Sequence, residues 1–269
     1  MKTHILLFLV AIVATAINSI AGGGGLLTFP VLMTVLPPVT ADATSAVALL
    51  PAYVTSTWAG RKHLAPVRHW FWLLLGPSLL GSLLGALLLN WSGNRSFMAL
   101  IPWLILIATL LTKRPLLTRR SEPQQPSGAA VAEALRAPSV AFKVAAGVLL
   151  FLVAIYGGYF GAGIGILVIG AFGLIGLTDI HSVIPLKNAL SGSLRAVAVT
   201  VFLVEGKVDW EYGLIMAAGA LFGGYIGGSA VRWTNRTAVR IGIVVLGFGM
   251  AAYYFWRIYR SGIHTIGGD

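Results

Sequence analysis

Residues 3–41 read THILLFLVAIVATAINSIAGGGGLLTFPVLMTVLPPVTA, without one Asp, Glu, Lys or Arg. No water-facing surface is built from such a stretch. A helix needs about 20 apolar residues to cross the hydrocarbon of a bilayer, and this run exceeds that length. Charge is missing again from Ala43–Gly60, His69–Asn94, Ser96–Thr112, Val144–Thr178 and Tyr212–Val231. The chain of 269 residues is 57% hydrophobic and 10% charged, against roughly 25% charged in a soluble domain. That composition argues against a water-soluble enzyme and against disorder. The expected fold is an all-α polytopic membrane protein, with the lipid bilayer as its surroundings.

Lys and Arg number 19 against 8 Asp and Glu, a net charge of +11. Basic residues collect in the short cytoplasmic loops of membrane proteins, so no nucleic-acid partner is inferred. Cys is absent, which removes disulfides, thiolate metal sites and a Cys nucleophile. His4, His63, His69, His181 and His264 are scattered without metal-ligand spacing. No metal and no cofactor is expected. Lys2 and Ala14-Thr15-Ala16 imitate a signal peptide. The apolar pattern runs on through Phe29 to Leu36, so a first membrane segment is the better reading.

Ten apolar segments follow: Ile5–Ile20, Leu26–Leu36, Ala43–Ala59, Trp70–Leu89, Phe97–Leu111, Val140–Ile155, Gly165–Leu177, Val183–Val204, Tyr212–Val231 and Val239–Trp256. Residues 113–138 interrupt them with Lys113, Arg114, Arg119, Arg120, Arg136 and several prolines, and read as a linker. Two repeats are expected: residues 1–112 as the first transmembrane repeat, 113–138 as the basic linker, and 139–269 as the second. Ala21-Gly22-Gly23-Gly24-Gly25 falls where Phe160-Gly161-Ala162-Gly163-Ile164-Gly165 falls. Asp42-x-x-Ser45 recurs as Asp179-x-x-Ser182, and Gly76-x4-Gly81-x3-Gly85 as Gly219-x4-Gly224-x3-Gly228. Topology stays open between ten crossings and eight, the latter with segments one and two, and six and seven, each forming one broken crossing. The basic residues serve both arrangements nearly equally.

Four consecutive glycines do not hold a helix, at roughly 1 kcal/mol per Gly against Ala. Irregular backbone inside a membrane is tolerated only within protein or around a wet cavity. Helices broken at matching places in two halves point to a transporter's substrate site, and the helix starts beyond them attract anions. Gly22, Gly23 and Gly24, with Gly161 and Gly163, are therefore candidate substrate-binding positions, with Asn18 beside the first break. For Gly81/Gly85 and Gly224/Gly228 close helix packing is the simpler account. In segment eight, Lys187, Asn188, Ser191 and Arg195 share an arc about 100° wide. Two cations on one membrane-buried face mark function by default. The alternatives are a snorkelling Lys187 and an Arg195 paired to a backbone carbonyl or carboxylate. Segment three offers Thr44 and Ser45.

All eight carboxylates fall at segment ends, loops or tails: Asp42, Glu122, Glu133, Asp179, Glu205, Asp209, Glu211 and Asp269. Asp42 and Asp179 read as N-caps of segments three and eight. Cations, hydroxyls and helix starts without an embedded acid suit an anion. An exported anion gains about 2.3 kcal/mol per charge per 100 mV, interior negative. Asp42 or Asp179 placed inside the cavity would instead favour a cation or metal carrier. A channel is the other alternative. An intramembrane enzyme lacks its reacting groups.

Ile20-Ala21-Gly22-Gly23-Gly24-Gly25-Leu26-Leu27-Thr28-Phe29-Pro30, with Ala41-x-Ala43-Thr44-Ser45, resembles the opening of the sulfite exporter TauE/SafE family. Gly157-Gly158-Tyr159-Phe160-Gly161-Ala162-Gly163-Ile164-Gly165 and Lys187-Asn188 resemble its second repeat. The resemblance implies a bacterial inner-membrane permease for sulfite, sulfonates or related small anions. It bears on Gly22, Gly24, Thr44, Ser45, Gly161, Gly163, Lys187 and Asn188. His181 falls opposite Thr44, so the hydroxyl pair is not duplicated. A homodimer is one arrangement left open.

Overall fold

A computed structural model describes residues 2–117, 139–177, 179–230 and 236–261. All regular structure among the described residues is helical. The helices are α1 (Lys2–Ala21), α2 (Gly25–Leu32), α3 (Pro38–Gly60), α4 (Arg68–Leu117), α5 (Val140–Tyr159), α6 (Ile164–Leu174), α7 (Ile180–Val204), α8 (Trp210–Ala230) and α9 (Arg236–Ser261). Among the described residues, five stretches are long and apolar enough to cross a membrane, one of them the 46-residue Ala65–Leu110. The protein is a multi-pass membrane protein. Its lipid-facing surface is greasy: Leu6, Leu9 and Val13 on α1, Leu80 and Leu88 on α4, and Leu214 and Phe222 on α8 are all exposed.

Segments four and five are two helices within α4, as expected, and meet at a non-helical Gly93 with φ 66 and ψ 170. Two boundaries differ from expectation. Helix α3 starts at Pro38 rather than Ala43, because Pro38 sits in its first turn, where a missing N–H does no harm. Asp42 therefore lies inside the helix and is not its N-cap. Of the expected linker, residues 113–117 complete α4. Residues 118–138, with Arg119, Arg120, Glu122, Glu133 and Arg136, lie outside the described residues, as do Arg232, His264 and Asp269.

Contacts at the helix ends fix the direction of each. His4 meets Glu211 at 2.9 Å and the Val39 amide donates to Asn94 Oδ1 at 3.0 Å. These bonds gather the starts of α1, α3 and α8 and the bend of α4 at one end of the bundle. Trp70 meets Phe142 edge to face and Gly60 abuts Pro185, gathering the end of α3 and the starts of α4, α5 and α7 at the other. Between them α1–α2 and α5–α6 are helical hairpins. Each returns toward the end it came from, so neither is a single broken crossing. Arg61, Lys62, Arg68 and Lys143 then share one end, as in the ten-segment alternation.

Aromatic rings staple the middle. Phe29 of α2, Phe97 of α4 and Phe160 beyond α5 pack edge to face, with centroids 5.1, 5.8 and 6.1 Å apart. Such pairs add about 0.5–1.5 kcal/mol each beyond their burial. Glycines allow the closest helix contacts. Gly81 and Gly85 press on the carbonyls of Phe151 and Ile155, and Gly223 and Gly227 press on those of Ile12 and Ala16. Phe151 and Ile155 precede Gly161 by ten and six residues, and Ile12 and Ala16 precede Gly22 by the same intervals. By contact, then, Gly81 and Gly85 correspond to Gly223 and Gly227, one residue from the motif match. Gly224 and Gly228 pack instead on Ala52 and Ser56 of α3, and a Cβ added at Gly76 would meet no neighbouring element within 4 Å.

Gly85→Val and Gly223→Val each place a branched side chain against backbone and should destabilise by about 1–3 kcal/mol. Gly76→Val should stay within about 0.5 kcal/mol of wild type. Thermal unfolding in detergent, followed by fluorescence-detected size exclusion, separates the two classes.

Candidate functional site

Helices α1 and α5 stop inside the protein, which leaves their last carbonyls without helical partners. Gly22 (φ +86) and Gly161 (φ +68) make the two turns, in a region that side chains with a Cβ rarely enter. The turns lie back to back. A Cβ on Gly22 would fall 2.5 Å from Gly165 Cα, and one on Gly25 2.9 Å from Ala162 Cα. Gly24 precedes α2 and Gly163 precedes α6 as N-caps, both without a side-chain cap. Gly23 is buried between them.

Helix α7 closes this arrangement. Lys187 Nζ donates to Asn18 O at 2.7 Å and to Ser19 O at 3.3 Å. Asn188 Nδ2 donates to Ser19 O at 3.2 Å, and Arg195 Nη1 donates to Gly157 O at 2.8 Å. Asn18 stands four residues before Gly22, and Gly157 four before Gly161. Two cations of one helix thus reach equivalent carbonyls on two broken helices, at the negative ends of their dipoles. Lys187 does not snorkel: it is 0% exposed, and Arg195 is 1% exposed. A Cβ on Gly161 would strike the Arg195 guanidinium, so the glycine leaves room for the arginine.

Several buried polar atoms keep unused capacity. Asn188 Oδ1, Ser191 Oγ, Arg195 Nε and Asp42 Oδ2 have no hydrogen-bond partner among the described residues. Other expected site residues serve the fold. The Thr44 hydroxyl accepts from the Asp209 amide at 3.0 Å. Ser45 Oγ bonds Thr28 Oγ1 at 2.7 Å, and Asn18 Oδ1 accepts from Gly24 N at 3.3 Å. Asn18 also meets the Tyr53 side chain. The structure thus brings Asn18, the glycines, Lys187, Asn188, Ser191 and Arg195 together, and sets Thr44 apart at the start of α8. Sequence reasoning missed Asp42, which is 1% exposed. The signal was there in Pro37-Pro38, a stronger helix start than an Asp.

No cluster of three or more His, Asp or Glu suited to a metal ion occurs among the described residues. A cavity of about 500 Å³ opens at the end of α3 and the start of α7, lined by Lys62, His63, His181 and Pro185 among others. The His63 and His181 rings lie 5.6 Å apart.

A profile of the sulfite exporter TauE/SafE family matches residues 7–254. The chain belongs to this family. A probable membrane transporter protein of Haemophilus influenzae is 30% identical over 251 residues, covering 92% of each chain. The probable membrane transporter protein YfcA of Escherichia coli K12 is 26% identical over 97% of this chain and 93% of its own. A probable membrane transporter protein of Sinorhizobium, ORF9, is 27% identical over 91% and 89%. No solved structure matches significantly. Membership, the relatives and the helical architecture make the protein a membrane transporter.

Asp179 does cap α7, accepting from Ser182 Oγ at 2.6 Å, Ser182 N at 3.1 Å and His181 N at 3.3 Å. The Ser182 hydroxyl, ahead of the two amides, holds this carboxyl below the usual carboxylate range, against a smaller opposing effect of burial. As pH falls, the unfolded chain takes up the proton first, so the stabilisation is present above the ordinary carboxylate pKa and lost on acidification. Asp179→Ala should cost about 1 kcal/mol at neutral pH. Its deficit in melting temperature should shrink below about pH 4; an unchanged deficit would mean the charge is irrelevant.

Proposed function

We propose that this transporter moves a small oxyanion, sulfite or an organosulfonate, outward across the bacterial inner membrane. The observation that carries the reading is the stripe on α7. Arg195 Nε and Ser191 Oγ are buried donors without partners among the described residues, and the Arg195 guanidinium lies against Gly161, ahead of α6. Donors aimed into a dry interior are costly unless a ligand accepts from them, and an oxyanion offers several acceptor oxygens at once. Lys187, Asn188, Gly22, Gly23, Gly24, Gly161 and Gly163 complete the surroundings. Asn188 Oδ1, an unpartnered acceptor, suits an anion that also carries a hydrogen-bond donor, such as hydrogensulfite. The matched contacts of α4 on α5 and of α8 on α1 support two repeats, 1–112 and 139–269, rocking about the shared centre. The family's name supports the direction and the sulfur chemistry.

Asp42 gives a cation carrier its one argument. Hard cations gather several oxygen ligands, and no acidic cluster surrounds Asp42 among the described residues. The anion reading is the stronger.

Sulfite, sulfoacetate, thiosulfate, sulfate, methanesulfonate and divalent cations form the test panel. A ligand at 100 times its Kd adds about 2.7 kcal/mol to folded-state stability, so a sulfur oxyanion should raise the melting temperature. Lys187 and Arg195 also cap helices, and their loss would confuse folding with binding. Ser191 separates the two, since its hydroxyl has no partner to lose. Ser191→Ala should melt within about 0.5 kcal/mol of wild type without ligand, yet bind the anion roughly tenfold more weakly. Stabilisation by divalent cations alone would reverse the assignment.

A further inference from the structure

The basic end of the bundle holds a cavity that the proposed centre does not use. It measures about 500 Å³ and lies between the end of α3, the start of α7 and the end of α8. Small-ligand pockets run to about 300–1,000 Å³. Lys62 and His63, just beyond α3, and His181, in the first turn of α7, line it. The two imidazole rings lie 5.6 Å apart, one from each half of the chain. Each imidazole carries at least one N–H donor, and the ammonium carries three. Ala59, Ile184 and Pro185 supply apolar wall.

The charge around the cavity is mostly of one sign. Arg61, Arg68 and Lys143 share this end, whereas Asp42, Glu205, Asp209 and Glu211 belong to the opposite end. Asp179 stands two residues before His181, but it does not line the cavity. Its carboxylate accepts from Ser182 and from the His181 amide. The start of α7 is thereby capped, and the site rests on side chains instead. A metal ion would find two imidazoles beside an ammonium of like charge. No third His, Asp or Glu suited to a metal joins them among the described residues.

The cavity also stands over the candidate centre. At 100° per residue, His181, Ile184, Pro185, Asn188, Ser191 and Arg195 fall within an arc about 120° wide on α7. Along the axis, His181 is about 10 Å from Asn188 and about 20 Å from Arg195. Farther in, α3 and α7 close on each other. A Cβ on Gly192 would fall 2.9 Å from Tyr53 Cβ, and Tyr53 is buried. Ser56, which lines the cavity, donates to Tyr53 O at 3.3 Å.

We propose that this cavity is a second anion site, where Lys62, His63 and His181 hold the transported oxyanion before it enters the centre on α7. The proposal rests on the anion reading and adds the place where substrate is first held. Lys and Arg concentrate on the cytoplasmic side of membrane proteins, so an outward transporter loads from this end. Passage inward then requires α3 and α7 to part at Tyr53 and Gly192.

Histidine labelled with ¹³C at Cε1 reports on the site directly, and His63→Gln and His181→Gln identify the two signals. The probe is methanesulfonate, added to purified full-length protein in lipid-free detergent, against sodium chloride of equal ionic strength. Both signals should shift saturably. In Lys62→Ala the midpoint should rise roughly tenfold; Lys62 is exposed, so its loss spares the fold. In Ser191→Ala the shifts should persist, and their loss there would assign them to the centre and overturn the proposal. In inside-out membrane vesicles Lys62→Ala should raise the KM for methanesulfonate uptake by a similar factor, and an unchanged KM overturns the loading role. Thermal stabilisation by methanesulfonate with both signals unmoved overturns the loading site and leaves the centre standing. Shifts that chloride reproduces, or that only zinc or phosphatidylglycerol elicits, overturn it in favour of screening, a metal pair or a lipid headgroup. If methanesulfonate neither stabilises the protein nor moves either signal, the anion reading fails, and the loading site falls with it.

Discussion

Hydrogen bonds from one helix hold the carbonyl ends of two others. A helix that stops inside a membrane exposes acceptors that no water can satisfy. Asn188 and Lys187 of α7 donate to Ser19 and Arg195 donates to Gly157, while Lys187 adds a second bond at Asn18 beside that of the Gly22 amide. The rest of the centre follows from that requirement. Gly22 and Gly161 turn the chain where side chains would not fit. Gly165 and Ala162 let the two turns touch. The rings of Phe29, Phe97 and Phe160 close the space beneath.

On the proposed anion reading, the same donors also serve recognition. A cation placed to cap a helix is fixed in position, and fixed donors bind anions without first being ordered. Lys187 is committed to the fold by its two bonds. Arg195 divides its guanidinium, with Nη1 on Gly157 and Nε free of any partner among the described residues. On the proposed reading, stability and recognition meet in one side chain. Movement of α7 relative to α1 or α5 would break these capping bonds.

Much of this was legible in the sequence. Charge-free runs placed the helices, because hydrocarbon sets their length and composition. The glycine clusters placed the breaks, because neither stretch sustains a helix. Helical periodicity put Lys187, Asn188, Ser191 and Arg195 on one face, and one face is where the structure has them. Asp179 read correctly as a cap. Asp42 did not, because its neighbourhood resembles a cap and only the earlier start at Pro38 puts it inside. The targets of Lys187 and Arg195 were hidden for a different reason. A backbone carbonyl 169 residues away leaves no mark on composition or spacing. The packing register of Gly223 and Gly227 was hidden likewise, since Gly219, Gly224 and Gly228 made the better-looking motif.

The centre of the account is an anion held on α7 between the two breaks. Selenate has the shape of sulfate and a strong anomalous signal, so a crystal of the protein soaked in it locates the ion directly. The account predicts a peak within hydrogen-bonding distance of Arg195 Nε and Ser191 Oγ. A peak confined to the cavity of Lys62, His63 and His181, with none at α7, would contradict it.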